Sequence, residues 1–443
     1  MDRARARRLL RRVVVYPLAA VTMVGAGVAA WYVATLYRAG APHQGALALT
    51  GATVLVGPDL EPRRGATVLI RDGTIVQVAD AGEVDIPAGA TVVDVTGSTV
   101  LPGLVDLHVH LGAAPRERGE RPGPLQLPGL AFDAMRFVPE TRRAFLDHGV
   151  TAVRSLGDEL QWVMELRRNV RDGVLEGPRV FAAGPLFTTP GGHPVVTIGV
   201  DAQSDAVRLP STPDEARRAV RALAGGEDPV DLIKVVQERG RPGRSLQPIE
   251  LDVLRAIVAE AHAHDLPVFA HWGGPADLTD VLTAGVDGLE HIEPRGVREG
   301  WPDGTLDVLV ERDVSLTPTL TVAEVALPPA ITRIQREQVA AFHAAGGRVV
   351  VGSDAGMPGV AFGGGVHREL QLLVDSGLTP QEALRAATSG AARVLGTDDI
   401  GVIEPGRAAD LVVVHGDPLR RIRAVADIVM VLRDGRMVVD NRT

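Results

Sequence analysis

Leu101-Pro-Gly-Leu-Val-Asp-Leu-His-Val-His110 is the stretch on which the fold turns. Leu104–His110 reads as a short, largely apolar strand. The two-residue period of a strand aims Asp106, His108 and His110 at one face. Three polar groups in succession on an inward face are costly to bury without a partner. Two imidazoles on adjacent inward positions can hold one cation together, and this reading is preferred to a pair of merely satisfied buried histidines.

Working outward, similar runs recur at Thr151–Ser155, Arg179–Ala183, Leu232–Val236, Pro267–His271, Gly288–Ile292, Val314–Thr317 and Val349–Ser353. Helical patterns lie between them, at Pro213–Leu223, Pro248–His264 and Ile331–Ala344. Strands alternating with helices over residues 101–395 predict an α/β fold, a (β/α)8 TIM-like barrel. In such barrels the site forms where strands end and loops begin. Shorter alternating strands flank this region, at Ala52–Val56, Thr67–Arg71, Thr74–Ala79 and Thr91–Asp94 before it and Asp410–Val414, Ile428–Arg433 and Arg436–Val439 after it. Asp72-Gly73 and Asp434-Gly435 are hairpin turn signals. Residues 46–100 and 396–443 are therefore expected to form one small β-sandwich domain from the two ends.

The N-terminus suggests a membrane segment. Arg3, Arg5, Arg7, Arg8, Arg11 and Arg12 crowd a basic tail over residues 1–12, and Val13–Tyr37 carries no charged side chain. That exceeds the ~20 residues needed to span a bilayer. The expectation is a transmembrane helix at 13–37, the lipid bilayer as its partner, a linker at 38–45 and an extracytoplasmic catalytic domain. A cleaved signal near Gly27, Ala29 and Ala30, giving a secreted or periplasmic protein, is the alternative.

Composition narrows the chemistry. Apolar residues make up 45 % of the 443, ample for a large core. A net charge of −9 argues against nucleic acid as a partner. With no cysteine, any metal must be held by nitrogen and oxygen. Of 46 basic residues only Lys234 is a lysine. An amine can lose its proton and react, whereas a guanidinium stays charged. Inside Leu232-Ile-Lys-Val-Val236 a bare ammonium would be expensive, so burial should depress its pKa. A neutral amine can take up carbon dioxide, and the resulting carbamate is a bidentate anion suited to bridging two metals. The competing reading is a lysine snorkelling from the strand end.

His271 and His291 close consecutive strands, a pattern chance produces poorly beside His108 and His110. Asp354 follows the last strand, where a carboxylate can bind a metal and serve as general base. His262 and His264 repeat the H-x-H spacing, but on a helix they point apart. His193, in a glycine-rich loop, and His367, opening a helix after Gly363-Gly-Gly, are substrate-contact candidates. Arg154, inward on the second strand, suits a substrate carboxylate or a buried ion pair.

These residues resemble the amidohydrolase superfamily, in the branch of imidazolonepropionases and metal-dependent, prolidase-like dipeptidases. Leu101–His110, Lys234, His271, His291, Gly352-Ser-Asp354 and the tail Gly401-Val-Ile-Glu-Pro-Gly-Arg-Ala-Ala-Asp-Leu-Val carry the resemblance. It implies two divalent metal ions, zinc first, with manganese, iron or cobalt as alternatives. His108 and His110 would bind the more buried ion with Asp354, His271 and His291 the outer one, and carboxylated Lys234 would bridge them. A hydroxide between the metals would attack a carbonyl, Asp354 passing the proton to the leaving nitrogen. Lys234 sets the chain apart from imidazolonepropionases proper, which resemble single-metal enzymes. The expected substrate is a small-molecule amide, such as a dipeptide or N-acyl amino acid. Ester or phosphotriester hydrolysis on the same metals, and a non-catalytic membrane-tethered metal-binding protein, are the rival readings, and a homo-oligomer is left open. Substrate choice should reside in loops, including Ala113–Pro128.

Overall fold

Short runs buried on both faces become parallel strands. The computed structural model of the chain describes residues 11–35, 39, 45–112, 139–293 and 297–442. Leu104–Val109, Val150–Ser155 and Arg179–Ala182 form one parallel sheet. Ile233–Gln237, Val268–Trp272, Gly288–Glu290, Ser315–Thr317 and Arg348–Val349 form a second, extended by Leu186–Phe187 and Val207–Arg208. Backbone hydrogen bonds join the two sheets at both seams. On one side Asp231 N donates to Ala182 O at 3.0 Å; on the other Leu107 N donates to Val351 O at 3.0 Å. The result is the closed barrel that the alternation predicts.

Helices pack their apolar stripes around it. Pro213–Ala224 starts with Thr212, whose side chain accepts from Glu215 N, and with proline in its first turn. Leu251–His262 buries Val253, Leu254, Ile257 and Val258 against the strands. One continuous core runs from Leu104 and Val109 through Ile233, Val268 and Leu316 to Leu370 and Leu373.

Both ends of the chain share a separate sheet. Ala46–Val56, Glu61–Arg71, Thr74–Asp80, Thr91–Asp94 and Ser98–Pro102 pair with Leu411–His415, Ile428–Arg433 and Arg436–Asp440. The expected sandwich is thus one eight-stranded, hydrogen-bonded sheet. Its seam is Ser98–Pro102, parallel to Ala46–Val56 and antiparallel to Leu411–His415. In both hairpins the two turn residues have positive φ, +51° and +79° at Asp72-Gly73 and +49° and +67° at Asp434-Gly435. Those values define the type I′ turn that an Asp-Gly pair favours. Arg179 at the foot of the barrel donates to Asp410 at 2.8 Å and also pairs with Asp434, fastening the barrel to this sheet.

The membrane expectation is corrected. An α-helix forms over Tyr16–Thr35, interrupted in composition by Pro17, Thr22, Gly25 and Gly27. Among the described residues no helix is long and apolar enough to cross a membrane. Anchoring through 13–37 and the localisation built on it are withdrawn. The loop Ala113–Pro128 lies outside the described residues.

Candidate metal centre

Strand ends assemble the site, and two backbone kinks complete it. Leu104–Val109 aims Asp106 and His108 into the barrel, with His110 one step beyond the ladder. His110 N donates to Ala355 O at 2.8 Å and Asp354 N to His108 O at 2.9 Å, fixing the first strand against the last. Asp106 reinforces that seam. Its carboxylate accepts from Ser353 N at 2.9 Å and Ser353 Oγ at 2.5 Å, and from His108 N at 3.2 Å. Burial pushes the Asp106 pKa up to about 6 against these bonds.

His291 and Asp354 both stand in the left-handed region, with φ of +62° and +61°. Such residues persist only where surrounding structure enforces them, and they cluster at functional sites. The kink explains how adjacent residues enter one cavity. Glu290 is the last residue of its strand, and His291 follows it around the turn.

His108, His291 and Asp354 offer donor atoms all within 4.8 Å of one another. Asp354 Oδ1 lies 3.5 Å from His108 Nε2 and 3.4 Å from His110 Nε2, yet it has no hydrogen-bond partner. Two donors sharing a tetrahedral ion at Zn–N distances are about 3.4 Å apart. The spacing therefore fits donors converging on a cation rather than on each other. His271 and His291 extend the cluster, with ring centroids 5.0 Å apart, and the His108 and His291 rings lie 4.7 Å apart.

The rings of His108, His291 and His271 each have a partner that fixes their orientation. His108 Nδ1 is 2.6 Å from Glu290 Oε2, His291 Nδ1 is 2.8 Å from Thr319 Oγ1, and His271 Nε2 is 3.3 Å from Glu238 Oε2. Ligating histidines are typically held this way, one nitrogen engaged and the other left for the ion. Burial drives the His108 pKa down to about 4 and that of His291 well below its ordinary value. Both rings are thus neutral at pH 7, the form that ligates. Burial alone would raise the Asp354 pKa. His108, His110 and His291 overcome that and hold its carboxyl far below the usual range.

Lys234 is 2 % exposed, and its Nζ has no hydrogen-bond partner. Burial lowers its pKa to about 8, Glu290 opposing and Arg154 adding to the effect. Lys234 Nζ and Asp354 Oδ1 are both buried without a hydrogen-bond partner, and the Asp354 charge acts on the amine across the site. The donor atoms of His108, His291 and Asp354 fit a bound cation.

The other candidates divide. His193 joins the cluster: its ring stacks on His271 at 4.9 Å, and its Nδ1 is 2.6 Å from Thr197 Oγ1. Arg154 as a substrate contact is corrected to a buried ion pair. It is 0 % exposed, donates to Glu290 Oε1 at 2.5 Å and to Leu107 O at 2.6 Å, and lies 3.9 Å from the Phe269 ring centre. His367 as a substrate contact is also corrected. The helix Gly364–Asp375 turns it onto His148, with Nε2 2.9 Å from the His148 carbonyl. Residue-type patterns overlooked Glu290, Glu238 and Thr319. Glu290 alone left a signal, a carboxylate at the inward position of an apolar strand, held down to about 2 by Arg154 and His108 despite its burial.

A closed barrel with strand-end histidines, a sunken lysine and an aspartate in the left-handed region defines a metal-dependent hydrolase. The chain belongs to the amidohydrolase family, whose sequence model matches residues 99–438, in its imidazolonepropionase- and prolidase-like branch. It is similar to ochratoxinase of Aspergillus niger, 27% identical over 418 residues, covering 84% of this chain and 82% of that one. It is 28% identical over 389 residues to the imidazolonepropionase of Nocardia farcinica, covering 82% and 90%. A crystal structure of a putative prolidase from Bifidobacterium longum superposes with TM-score 0.72 at 29% identity, covering 91% of this chain and 97% of that one. The protein is an enzyme that hydrolyses carbon–nitrogen bonds with the help of metal.

Proposed function

We propose that the chain is a binuclear amidohydrolase cleaving an amide bond of a small molecule, a dipeptide or N-acyl amino acid. The single observation that carries the two-metal reading is Lys234: buried, without a hydrogen-bond partner, and close enough for its charge to act on His108 and His291 and to feel that of Asp354. His108, His110 and Asp354 would hold the inner cation, His271 and His291 the outer one, and Lys234 as a carbamate would bridge them. Zinc suits this nitrogen and oxygen donor set. When bound, the ions supply Lewis acidity and lower the pKa of water.

The chain's own groups do the rest. Asp354 accepts a proton at its carboxylate as water adds to the carbonyl, and returns it to the departing nitrogen. His193, with Nδ1 engaged by Thr197, presents Nε2 to the substrate. Glu290, Thr319 and Glu238 keep the ligand rings in place. Residues 101–395 form the catalytic unit, and 46–100 with 396–443 the β domain. The prolidase-like neighbour supports peptide-like substrates, and ochratoxinase supports broader amides. Screening zinc- or manganese-loaded protein against dipeptide and N-acyl amino acid libraries tests the reading. Amide turnover that stops on chelation is expected; turnover of esters or phosphotriesters alone would overturn it.

A further inference from the structure

The helix Leu320–Ala326 begins in an unusual way. Its N-cap residue is Thr319, a type that ordinarily turns its hydroxyl back onto the N–H groups of the first turn. Here that bond is absent. Thr319 Oγ1 instead lies 2.8 Å from His291 Nδ1. The orphaned N–H groups go elsewhere: Leu320 N donates to Glu369 Oε1 at 2.9 Å, and Thr321 N to Glu369 Oε2 at 2.7 Å. Thr321 Oγ1 adds a third donor to Oε2 at 2.7 Å.

We infer that Glu369 is a positioning residue for the outer-cation ligand His291: by capping the helix in place of Thr319, it frees the threonine hydroxyl to fix the imidazole. This inference rests on the two-cation reading above. Three features support it besides the hydrogen bonds. Glu369 is fully buried on the helix Gly364–Asp375, far along the chain from the segment it caps. Burial raises its pKa to about 7, so the carboxyl sits there at a cost that packing alone would not demand. Thr319 is β-branched yet has φ +47° and ψ +47°, a conformation that must be held from outside. Glu369 grips the two residues that follow it. Nδ1 of His291, which also lies 3.8 Å from Asp354 Oδ2, is engaged by the threonine, so Nε2 would be the nitrogen offered to a cation.

The test uses the full chain and zinc alone, with chelator competition reading the affinity of each site. Loss of an outer-shell partner typically weakens a metal by about 10- to 100-fold. Glu369→Ala should therefore weaken the outer zinc by that factor and leave the inner one unchanged, because its hydroxyl partner is drawn back to the helix. Thr319→Val should give the same loss, and Thr319→Ser should keep the affinity. In the double variant Glu369→Ala/Thr319→Val the loss should be no larger than in Thr319→Val alone, since the glutamate acts only through the threonine. Additive losses, or equal weakening of both zinc sites, would overturn the inference. Glu369→Gln, which keeps the volume and one acceptor, should fall between wild type and alanine and covers the case in which alanine does not fold. A crystal structure of the metal-free Glu369→Gln or Glu369→Ala variant is independent of how many ions the enzyme holds. The contact between Thr319 and His291 should be lengthened or lost there; its persistence in both would refute the role of Glu369 even if the two-cation reading stands. A wild-type protein binding one zinc would instead refute the reading while the crystal comparison still decides the inference.

Discussion

Glu290 couples two quantities that a paired substitution can separate. It is 0 % exposed, its Oε1 accepts from Arg154 at 2.5 Å, and its Oε2 lies 2.6 Å from His108 Nδ1. Glu290→Leu strands the Arg154 guanidinium, which keeps only the Leu107 carbonyl, Thr317 and the Phe269 face. Removing one partner of a buried pair costs about 3–5 kcal/mol. The same change frees His108 Nδ1, and loss of such an outer-shell carboxylate should weaken metal binding by about 10- to 100-fold, or roughly 1.4–2.8 kcal/mol. Arg154→Met/Glu290→Leu replaces the pair with apolar groups and should recover most of the stability, because the uncompensated charge is gone. It should recover none of the metal affinity. Urea titration of metal-free protein reads the first quantity, chelator competition the second. A double variant as unstable as Glu290→Leu, or a Glu290→Leu protein with undiminished metal affinity, would refute the reasoning.

Asp354→Asn should leave the fold intact and reduce kcat by about 10²- to 10⁴-fold, since the amide cannot move the proton; circular dichroism and steady-state kinetics check both halves. Lys234→Arg should hold at most one metal and lose most activity, because a guanidinium forms no carbamate, as elemental analysis would reveal. Gly352→Ala should destabilise the protein by about 1–3 kcal/mol and weaken metal binding. Its Cβ would press into the Thr317 methyl and stand 2.8 Å from His108 Cβ and 3.0 Å from His108 N. Thermal melts with and without zinc report that change.

Much of the centre was legible because its chemistry is concentrated at strand ends. His108 and His110 share an inward face, and the lone Lys234 stands out against 46 basic residues that are otherwise arginine. Partners that act through single hydrogen bonds leave weaker marks. Thr319 and Glu369 are common residue types whose roles depend on a kink at φ +47° and a contact across 49 residues. His367 misleads because closeness to Asp354 in sequence does not fix the face a helix presents, and this one faces His148. Ser98–Pro102 is missing from the expected strands, although it forms the seam of the β domain directly before the barrel begins. At the N-terminus a long uncharged run suggested a span, whereas among the described residues no helix is long and apolar enough to cross a membrane.

The most direct test of the two-cation centre is a crystal structure of zinc-loaded protein grown with bicarbonate, with anomalous scattering collected at the zinc edge and elemental analysis on the same batch. Two zinc peaks are expected, one among His108, His110 and Asp354 and one beside His271 and His291, with carbamate density continuous from Lys234 Nζ to both. A single peak with an unmodified Lys234, and one equivalent of zinc in solution, would contradict it.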